Sequence, residues 1–351
     1  MALKWDPEYL AWRSAINAPP RPVYDDPFEF RDAAHKAHTS MFASFPYPAE
    51  VERSDHTVTS ADGAEIKVLR LATAAHRAAA PAPAAQESAS ASAPPLPPQP
   101  AVVFAFGGGL VAGSAVTWAP WVAQEVKATD VQFFVVDYRL APENRAPGGA
   151  EDVYAALAWV SAHAASLGVD PARIAVAGAS AGGCHAAGAA LLARDRGLAP
   201  PLAKQVLMYP MLDDRTGARP AGAAADAEGD EARDQKSPLA PFLTWTPRNN
   251  RMGWAAYLGA DKAGDPDADV SPYGAPGRVA DLAGLPSTYV EVGNLDLFRD
   301  EDIDYVARLA KANVDVEFHL YPGLPHGFGA AANLAVTKNA KANLVKAYRS
   351  F

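Results

Sequence analysis

From residue 101 onward, short apolar runs alternate with helical stretches, and this alternation constrains the fold more than any other feature. The apolar runs cover residues 101–106, 131–137, 173–177, 204–209, 287–293 and 314–321, and predicted helices cover 147–167, 181–196, 299–312 and about 331–348. Runs that stay apolar without polar alternation are typical of strands buried on both faces. The pattern therefore predicts an α/β protein with a mostly parallel central sheet flanked by helices.

Residues 1–50 differ from the rest of the chain in their high aromatic content and frequent prolines. The prolines predict short helical pieces instead of one long helix. Large apolar side chains need a surface to bury against, so we expect this segment to form a cap over a main domain of residues 51–351. At the start of that domain, residues 51–60 and 65–71 have strand character and are joined by the hairpin signal Ala61-Asp62-Gly63.

Two stretches of the main domain lack the composition of a packed core. Residues 72–100 consist almost entirely of Ala, Pro, Ser and Gln, and such a sequence has too little apolar surface to offset ordering. We therefore expect a low-complexity loop there. Residues 213–241 are rich in Ala, Gly, Asp and Glu and predict an irregular insertion. Because this insertion follows a strand, it would lie over the carboxyl edge of the sheet, where such folds bind ligands.

The composition argues against several classes of function. The chain has 31 Lys and Arg against 40 Asp and Glu, a net charge of −9, and no basic cluster, so nucleic-acid binding is not expected. Cys184 is the single cysteine, and no paired Cys/His spacing indicates a metal site. The N-terminus has no apolar core of signal-peptide length, and no run of about 18 apolar residues occurs. We therefore expect a cytoplasmic protein without a membrane span.

The pentapeptide Gly178-Ala179-Ser180-Ala181-Gly182 follows the apolar run 173–177 and opens an Ala-rich helical stretch. A strand, a G-x-S-x-G turn and a helix in this order are typical of a nucleophile elbow. The glycines leave room for a tight turn that exposes the serine hydroxyl, and the Ala181 amide would lie at a helix N-terminus. The alternative is a plain small-residue turn, because Ala and Gly are abundant throughout the chain.

A serine nucleophile needs a base and an acid that orients it. Among eight histidines, His326 lies in the Gly/Pro-rich loop 321–328 directly after the last predicted strand, whereas His319 lies inside that strand. Asp296 directly follows the predicted strand 287–293, and Asp300 and Glu301 better suit the first turn of the next helix. We therefore predict a catalytic set of Ser180, Asp296 and His326, in the chain order expected for an α/β-hydrolase.

Three consecutive glycines, residues 107–109, follow the predicted strand 101–106. Their uncovered backbone amides could hold the oxyanion of a tetrahedral intermediate. On its own this run would more often be an ordinary loop, but its place one strand before the serine turn favours the catalytic interpretation. We predict an oxyanion hole formed by the backbone N–H groups of Gly108, Gly109 and Ala181.

Taken together, these motifs resemble the hormone-sensitive lipase family of α/β-hydrolases, the bacterial-type carboxylesterases. Four blocks match in order: residues 106–114, the segment 137–143 (DYRLAPE), residues 178–183, and Asp296 with the loop at His326. The resemblance implies a helical N-terminal cap, hydrolysis of short- to medium-chain esters without cofactor or metal, and a supporting role for residues 137–143. Three positions depart from the family pattern, namely Phe106, Ala179 and Cys184, and the first two remove polar side chains from around the site.

The leading hypothesis is therefore a serine carboxylesterase acting on a small-molecule ester. Two alternatives stay open: the same machinery acting on an amide, carbamate or lactone, and a non-catalytic small-molecule receptor on the same fold. The sequence also leaves a homodimer open. Six aromatic residues are candidates for lining an apolar pocket: Trp5, Trp12, Phe42, Phe45, Trp118 and Trp254.

Overall fold

The structure, a computed structural model, describes residues 3–17, 22–79, 97–218 and 227–351. Its centre is an eight-stranded sheet in the order β1-β2-β4-β3-β5-β6-β7-β8. The strands are β1 (Val51–Thr59), β2 (Glu65–Thr73), β3 (Gln99–Ala105), β4 (Gln132–Asp137), β5 (Val169–Ala179), β6 (Lys204–Met208), β7 (Ser287–Gly293) and β8 (Val316–Tyr321). Strand β2 is antiparallel to β1 and β4, and all other neighbours are parallel.

Helices flank this sheet. They are α1 (Pro7–Ala15), α2 (Pro27–Phe42), α3 (Ala74–Ala78), α4 (Ala115–Thr129), α5 (Gly148–Ala162), α6 (Ala164–Leu167), α7 (Ala181–Asp195), α8 (Ala227–Asp234), α9 (Pro247–Leu258), α10 (Arg299–Lys311) and α11 (Ala335–Arg349). Helix α5 packs on α7, and α4 packs on both α2 and α11. No helix in the described ranges combines the length and apolar character that a membrane crossing needs.

The continuous apolar runs explain why both faces of the sheet are covered. In β3, the successive residues Val102, Val103 and Phe104 are all fully buried, although successive side chains in a strand point to opposite faces. The α/β architecture with a mostly parallel sheet is therefore confirmed. The predicted strand 173–177 is longer in the structure, where β5 extends to Ala179 and ends directly before the serine turn.

Helices α4 and α9 are absent from the sequence-based prediction. Helix α4 contains Pro120 and begins after the glycine-rich loop, two features that normally indicate a break. Its start is defined by Ser114, whose side chain accepts a hydrogen bond from the Thr117 amide. Helix α9 is capped in the same way by Thr246, with Pro247 in its first turn. In both cases a local cap outweighs a weak apolar pattern.

The two stretches expected to be irregular contain regular structure. Within 72–100, β2 continues to Thr73, which caps the short helix α3, and β3 begins at Gln99. Residues 80–96, which carry most of the predicted low-complexity loop, lie outside the described residues. Within 213–241, helix α8 and a short 3₁₀ helix at Ala240–Phe242 form, and residues 219–226 lie outside the described part.

The N-terminal helices lie against the elements that carry the predicted site. The Asp6 amide donates to the Gly323 carbonyl (3.0 Å), which joins the start of α1 to the loop before His326. Tyr9 of α1 belongs to a buried cluster with Tyr321 at the end of β8. The boundary between this segment and the main domain at residue 50 stays a prediction.

Candidate active site

All four predicted motifs lie at the carboxyl ends of parallel strands. The glycine loop 107–109 follows β3, Ser180 follows β5, Asp296 follows β7 and His326 follows β8. The carboxyl ends of parallel strands share one edge of a sheet, where ligands bind in folds of this class. The topology alone therefore brings together residues that are as far apart in sequence as Gly107 and His326.

Ser180 occupies a strained turn between β5 and α7. Its backbone has φ 55° and ψ −121°, which non-glycine residues adopt rarely and mostly at functional sites. A Cβ at Gly178 would lie 2.1 Å from the Gly182 carbonyl oxygen, and a Cβ at Gly182 would lie 2.1 Å from the Ala105 carbonyl oxygen. Glycine is therefore required on both sides of the serine, as the motif predicts.

Ser180, His326 and Asp296 form a continuous hydrogen-bonded relay. The Nε2 atom of His326 is 2.9 Å from Ser180 Oγ, and its Nδ1 atom is 2.8 Å from Asp296 Oδ2. Asp296 is fully buried, and its other oxygen accepts a hydrogen bond from the Phe298 amide (3.0 Å). The carboxylate is therefore fixed, and it in turn fixes the orientation of the imidazole.

Aromatic packing restrains the His326 ring from two sides. Tyr209 contacts it edge to face with 4.9 Å between ring centroids, and Phe298 does so at 5.1 Å. The Thr244 hydroxyl also donates to the His326 carbonyl oxygen (2.8 Å). His319, the rejected candidate, lies in β8, where its Nε2 pairs with Glu317 (3.0 Å).

The glycine loop presents backbone amides beside the serine. Gly109 has φ +61°, and a Cβ there would lie 2.4 Å from the Trp245 ring, while a Cβ at Gly108 would lie 1.9 Å from the Ala112 carbonyl oxygen. Within the described part of the chain, the amides of Gly108, Gly109 and Ala181 donate no hydrogen bond. These three amides are thus free to donate, and Gly108 and Gly109 line the same cavity as Ser180.

Phe106 is held beneath this loop by packing and by its backbone. Its ring stacks on Tyr138 with 4.1 Å between centroids and an angle of 15°. The Tyr138 hydroxyl donates to the Phe106 carbonyl oxygen (2.7 Å). Tyr138 belongs to the segment 137–143, so these contacts agree with the supporting role that the family resemblance implies.

Arg31 of α2 is a further support that the sequence reasoning did not identify. Its Nε donates to the Val111 carbonyl oxygen (2.6 Å) and its Nη2 to the Ala141 carbonyl oxygen (2.7 Å). Both its Nη atoms also pair with the Glu143 carboxylate (2.6 and 2.7 Å). Helix α2 is thereby tied at once to Val111, just beyond the glycine loop, and to segment 137–143. No local sequence signal indicates this supporting role of Arg31.

A cavity of about 560 Å³ opens above the serine and is lined by residues 107–109, Ser180 and His326. Of the six aromatic residues proposed to line a pocket, Phe42, Phe45 and Trp118 do so. The other three do not: Trp5 and Trp12 pack in the cluster around Tyr321, and Trp254 belongs to the buried core. Lining residues that the sequence did not suggest include Phe30, Met41, Trp121, Tyr209 and Trp245.

Two ionisable residues near the serine turn lie outside the relay. Burial raises the pKa of the Cys184 thiol, and its Sγ donates to the Gly274 carbonyl oxygen (3.2 Å). Burial lowers the pKa of His185 to about 3, so this histidine is neutral and packs between Tyr138 and Tyr257. Throughout the described ranges, no three His, Cys, Asp or Glu side chains are grouped so that they could hold a metal ion.

Comparisons with known proteins agree with this geometry. A family model for the alpha/beta hydrolase fold matches residues 102–330. Esterase LipI of Mycobacterium tuberculosis is 38% identical over 248 residues, which cover 70% of this chain and 71% of LipI. Carboxylesterase NlhH of the same species is 37% identical over 235 residues, which cover 65% of this chain and 66% of NlhH. The structure of a bacterial heroin esterase has a TM-score of 0.80 at 33% identity and covers 99% of this chain and 97% of that chain.

The matched region, residues 102–330, is well over half of the chain and contains the glycine loop, the serine turn, Asp296 and His326. The structural match extends beyond it to the N-terminal helices, because it covers nearly the whole chain. The family predicted from four short motifs is therefore confirmed. The chain belongs to the hormone-sensitive-lipase-like family of α/β-hydrolases and is a carboxylesterase-like hydrolase of ester bonds.

Proposed function

We propose that this chain cleaves short- to medium-chain carboxylic esters through an acyl-enzyme formed on Ser180. The observation that carries the proposal is the relay of 2.9 Å from Ser180 Oγ to His326 Nε2 and 2.8 Å from His326 Nδ1 to Asp296. A hydroxyl is a weak nucleophile until a neighbouring base takes its proton. Here the base lies at hydrogen-bond distance, and the carboxylate holds its other nitrogen protonated.

The proposed reaction has two halves. Ser180 Oγ attacks the ester carbonyl carbon while its proton passes to His326 Nε2, and the carbonyl oxygen becomes an oxyanion. Collapse of this intermediate breaks the bond to the alkoxy oxygen, which leaves with the proton from His326. Water then attacks the acyl-enzyme with His326 again as base, and the carboxylic acid is released from Ser180. Asp296 stabilises the imidazolium in both halves.

In this proposal the amides of Gly108, Gly109 and Ala181 bind the oxyanion. Preorganised donors of this kind need no rearrangement as the charge develops, and losing one typically raises the barrier by about 2.7–4 kcal/mol. The tightness of the loop around Gly108 and Gly109 supports the assignment, because any side chain there would displace the amides.

The cavity supports a small-molecule ester as substrate. Its volume of about 560 Å³ lies in the usual range of small-molecule sites, roughly 300–1,000 Å³. The side chains of Phe30, Phe42, Phe45 and Trp118 contribute an apolar lining, which suits an acyl or alkyl chain of modest length.

Replacement of the proposed nucleophile tests the mechanism. We expect Ser180→Ala to lower kcat for 4-nitrophenyl butyrate by roughly 10⁴-fold or more, since removal of a nucleophile disables the whole relay. His319→Ala is the matched control, because His319 lies in β8 and contacts Glu317 instead of the relay; its kcat should stay close to wild type. Retained turnover in Ser180→Ala, or a collapse in His319→Ala, would contradict the assignment.

The two functional alternatives are separated by labelling and by substrate choice. A fluorophosphonate should modify Ser180 stoichiometrically in wild type, whereas a non-catalytic receptor would not react. Amide, carbamate and lactone substrates of matched size should be cleaved more slowly than the ester. A reversed order would assign the same relay to a different leaving group.

We also propose a cytoplasmic location, and we keep the homodimer and the absence of nucleic-acid binding as expectations. Fractionation of cells that express the chain tests the first. The mass of the purified protein in solution and a titration with labelled duplex DNA test the others.

A further inference from the structure

One end of the cavity is charged, although the rest of its lining is largely apolar. Trp118, Trp121 and Glu125 all line the cavity from α4. Their spacing of three and four residues places them on one face of the helix. Trp118 lies beside the serine turn, since its ring is 3.3 Å from the position of a Cβ on Gly107, and that Cβ would also lie 3.3 Å from Ser180 Cβ.

The charged end lies at a substrate-sized distance from the serine. Glu125 is seven residues beyond Trp118, which corresponds to roughly 10 Å along a helix that rises about 1.5 Å per residue. Glu291 of β7 and Lys341 of α11 also line the cavity. Both are close to Glu125, because Lys341 pairs with it and the charge on Glu125 acts on Glu291. The cavity therefore runs continuously from the Ser180 hydroxyl to these three side chains.

Glu125 has an unused acceptor at this end. It is 1% exposed, and its Oε1 pairs with Lys341 Nζ. Its Oε2 is buried and has no hydrogen-bond partner among the described residues. A buried carboxylate oxygen without a donor is costly, and such groups in native proteins usually have a partner such as a ligand or water.

Glu291 places a second carboxyl group nearby. It is 3% exposed, and its Oε2 accepts a hydrogen bond from the Tyr289 hydroxyl (2.7 Å). Burial raises the pKa of Glu291 to about 8, the Tyr289 hydrogen bond opposes this, and the charge on Glu125 raises it further. The carboxyl therefore holds a proton at neutral pH that an incoming cation would displace.

The group at this end can accept one more cation. While Glu291 is protonated, the charges of Glu125 and Lys341 balance, but once Glu291 releases its proton two carboxylates face one ammonium group. A single additional cation would then neutralise the group and supply the donor that Glu125 Oε2 lacks. An ammonium group suits both needs, because it carries one positive charge and N–H donors. A divalent metal ion suits it less, since two carboxylates beside an ammonium make a poor ligand set.

We infer that Glu125 and Glu291 form an ammonium subsite, so that the preferred substrates are esters that carry a basic nitrogen at the far end of their acyl or alkoxy chain. This inference rests on the proposed ester hydrolysis at Ser180 and names its substrate class. The aromatic rings of Trp118 and Trp121, on the same helix face, accept the apolar spacer between ester and nitrogen.

Matched pairs of esters test the subsite. One pair is 4-nitrophenyl 6-(dimethylamino)hexanoate and its neutral isostere 4-nitrophenyl 7-methyloctanoate; a second pair carries the same groups in the alkoxy part, as acetate esters. The measurement is the ratio of kcat/KM for the amine ester to that for its isostere, which cancels general effects on catalysis. In wild type at neutral pH, we expect a ratio of about tenfold or more in at least one pair, as for a charged hydrogen bond.

Three variants test whether Glu125 and Glu291 cause the preference for amine esters. Glu125→Gln and Glu291→Gln should each lower the ratio by about tenfold, whereas Lys341→Met should raise it, because it removes the competing ammonium. Glu151→Gln is the control, since Glu151 pairs with Arg196 on the surface and lies outside the cavity lining. Lys341 is partly exposed, so its variant keeps the test decisive if a buried glutamate variant does not fold.

The outcomes separate the inference from the function on which it rests. A wild-type ratio near one with rapid cleavage of the neutral esters would overturn the ammonium subsite and leave ester hydrolysis intact. A preference that survives both glutamate variants, or that falls in Lys341→Met, would also overturn it. Failure to cleave any of the four esters would instead count against the proposed function.

Discussion

Removal of the Arg31 side chain should loosen helix α2 and the segment that follows the glycine loop together. Arg31 donates to the carbonyl oxygens of Val111 and Ala141, and both of these residues are buried. Arg31→Met keeps the length of the side chain and removes every donor. The two carbonyl oxygens then lose their partners, at a cost of about 1–3 kcal/mol each.

The expected loss of stability depends on how exposed the ion pair and the two carbonyl groups are. The Glu143 side chain is 55% exposed and that of Arg31 24%, so the ion pair itself contributes only about 0–1 kcal/mol. Because water can reach the vacated space and replace part of the lost bonding, we expect a total loss near the lower end, about 2–3 kcal/mol. Most of this loss should come from the two carbonyl bonds.

Urea unfolding followed by tryptophan fluorescence measures the loss of stability, and amide exchange across α2 measures whether this helix detaches. We expect faster exchange in residues 27–42 and a lower kcat for 4-nitrophenyl butyrate. Arg53→Met is the matched control, because Arg53 makes a similar two-bond ion pair with Asp55 on the exposed surface of β1. It should cost at most about 1 kcal/mol.

Two results would refute this reasoning. If Arg31→Met and Arg53→Met lose the same stability, the carbonyl bonds contribute nothing beyond a surface ion pair. If Glu143→Gln alone reproduces the full loss and the faster exchange of α2, the ion pair carries the stabilisation instead of the carbonyl contacts.

Two further predictions concern the glycine loop and the buried carboxyl group. Gly109→Ala should lower kcat at least about tenfold, because a Cβ there lies 2.4 Å from the Trp245 ring. Gly197→Ala is the control, since Gly197 has a similar φ of +66° and open space around it. This control should lose only about 1–2 kcal/mol of stability in urea unfolding, the cost of the backbone conformation, and should keep its kcat. Because the pKa of Glu291 is raised from 4.5 to about 8 in the fold, its protonated form stabilises the protein below about pH 4.5, and this contribution is lost as pH rises to about 8. The free energy of unfolding, measured by urea titration at both ends of that window, should therefore fall by a few kcal/mol from low to high pH in wild type and by less in Glu291→Gln. An equal fall in the two proteins would contradict the prediction.

The residues of the relay could be predicted because each one has a local signature. Ser180 lies between two obligatory glycines, and Asp296 and His326 each follow a strand that the apolar pattern identifies. Parallel strands end at one edge of the sheet, so the prediction needed only the strand order along the chain. The strand pattern also favours His326 over His319, because His326 follows the last strand and His319 lies within it.

Arg31 and Glu125 could not be predicted, because their roles depend on contacts remote in sequence. Arg31 reaches a carbonyl 80 residues away, and Glu125 pairs with Lys341, 216 residues away. In the sequence, Arg31 reads as one more charge on a surface helix, and Glu125 follows an apolar aromatic stretch interrupted by Pro120. Only the placement of α2 beside Val111 and Ala141, and the packing of α11 against α4, give these two charges their partners.

Contacts remote in sequence also explain how the glycine loop is held with Phe106 in place of the usual polar residue. A polar side chain at this fully buried position would need a partner of its own. Instead, the loop is held through its carbonyl groups: Phe106 accepts from Tyr138, Gly108 accepts from the Ala112 amide, and Val111 accepts from Arg31. The carbonyl oxygens of Phe106, Gly108 and Val111 are thus bound on the protein side, whereas the amides of Gly108 and Gly109 remain available to the cavity. The anchors thus lie in the backbone, and the identity of residue 106 affects packing more than it affects the oxyanion donors.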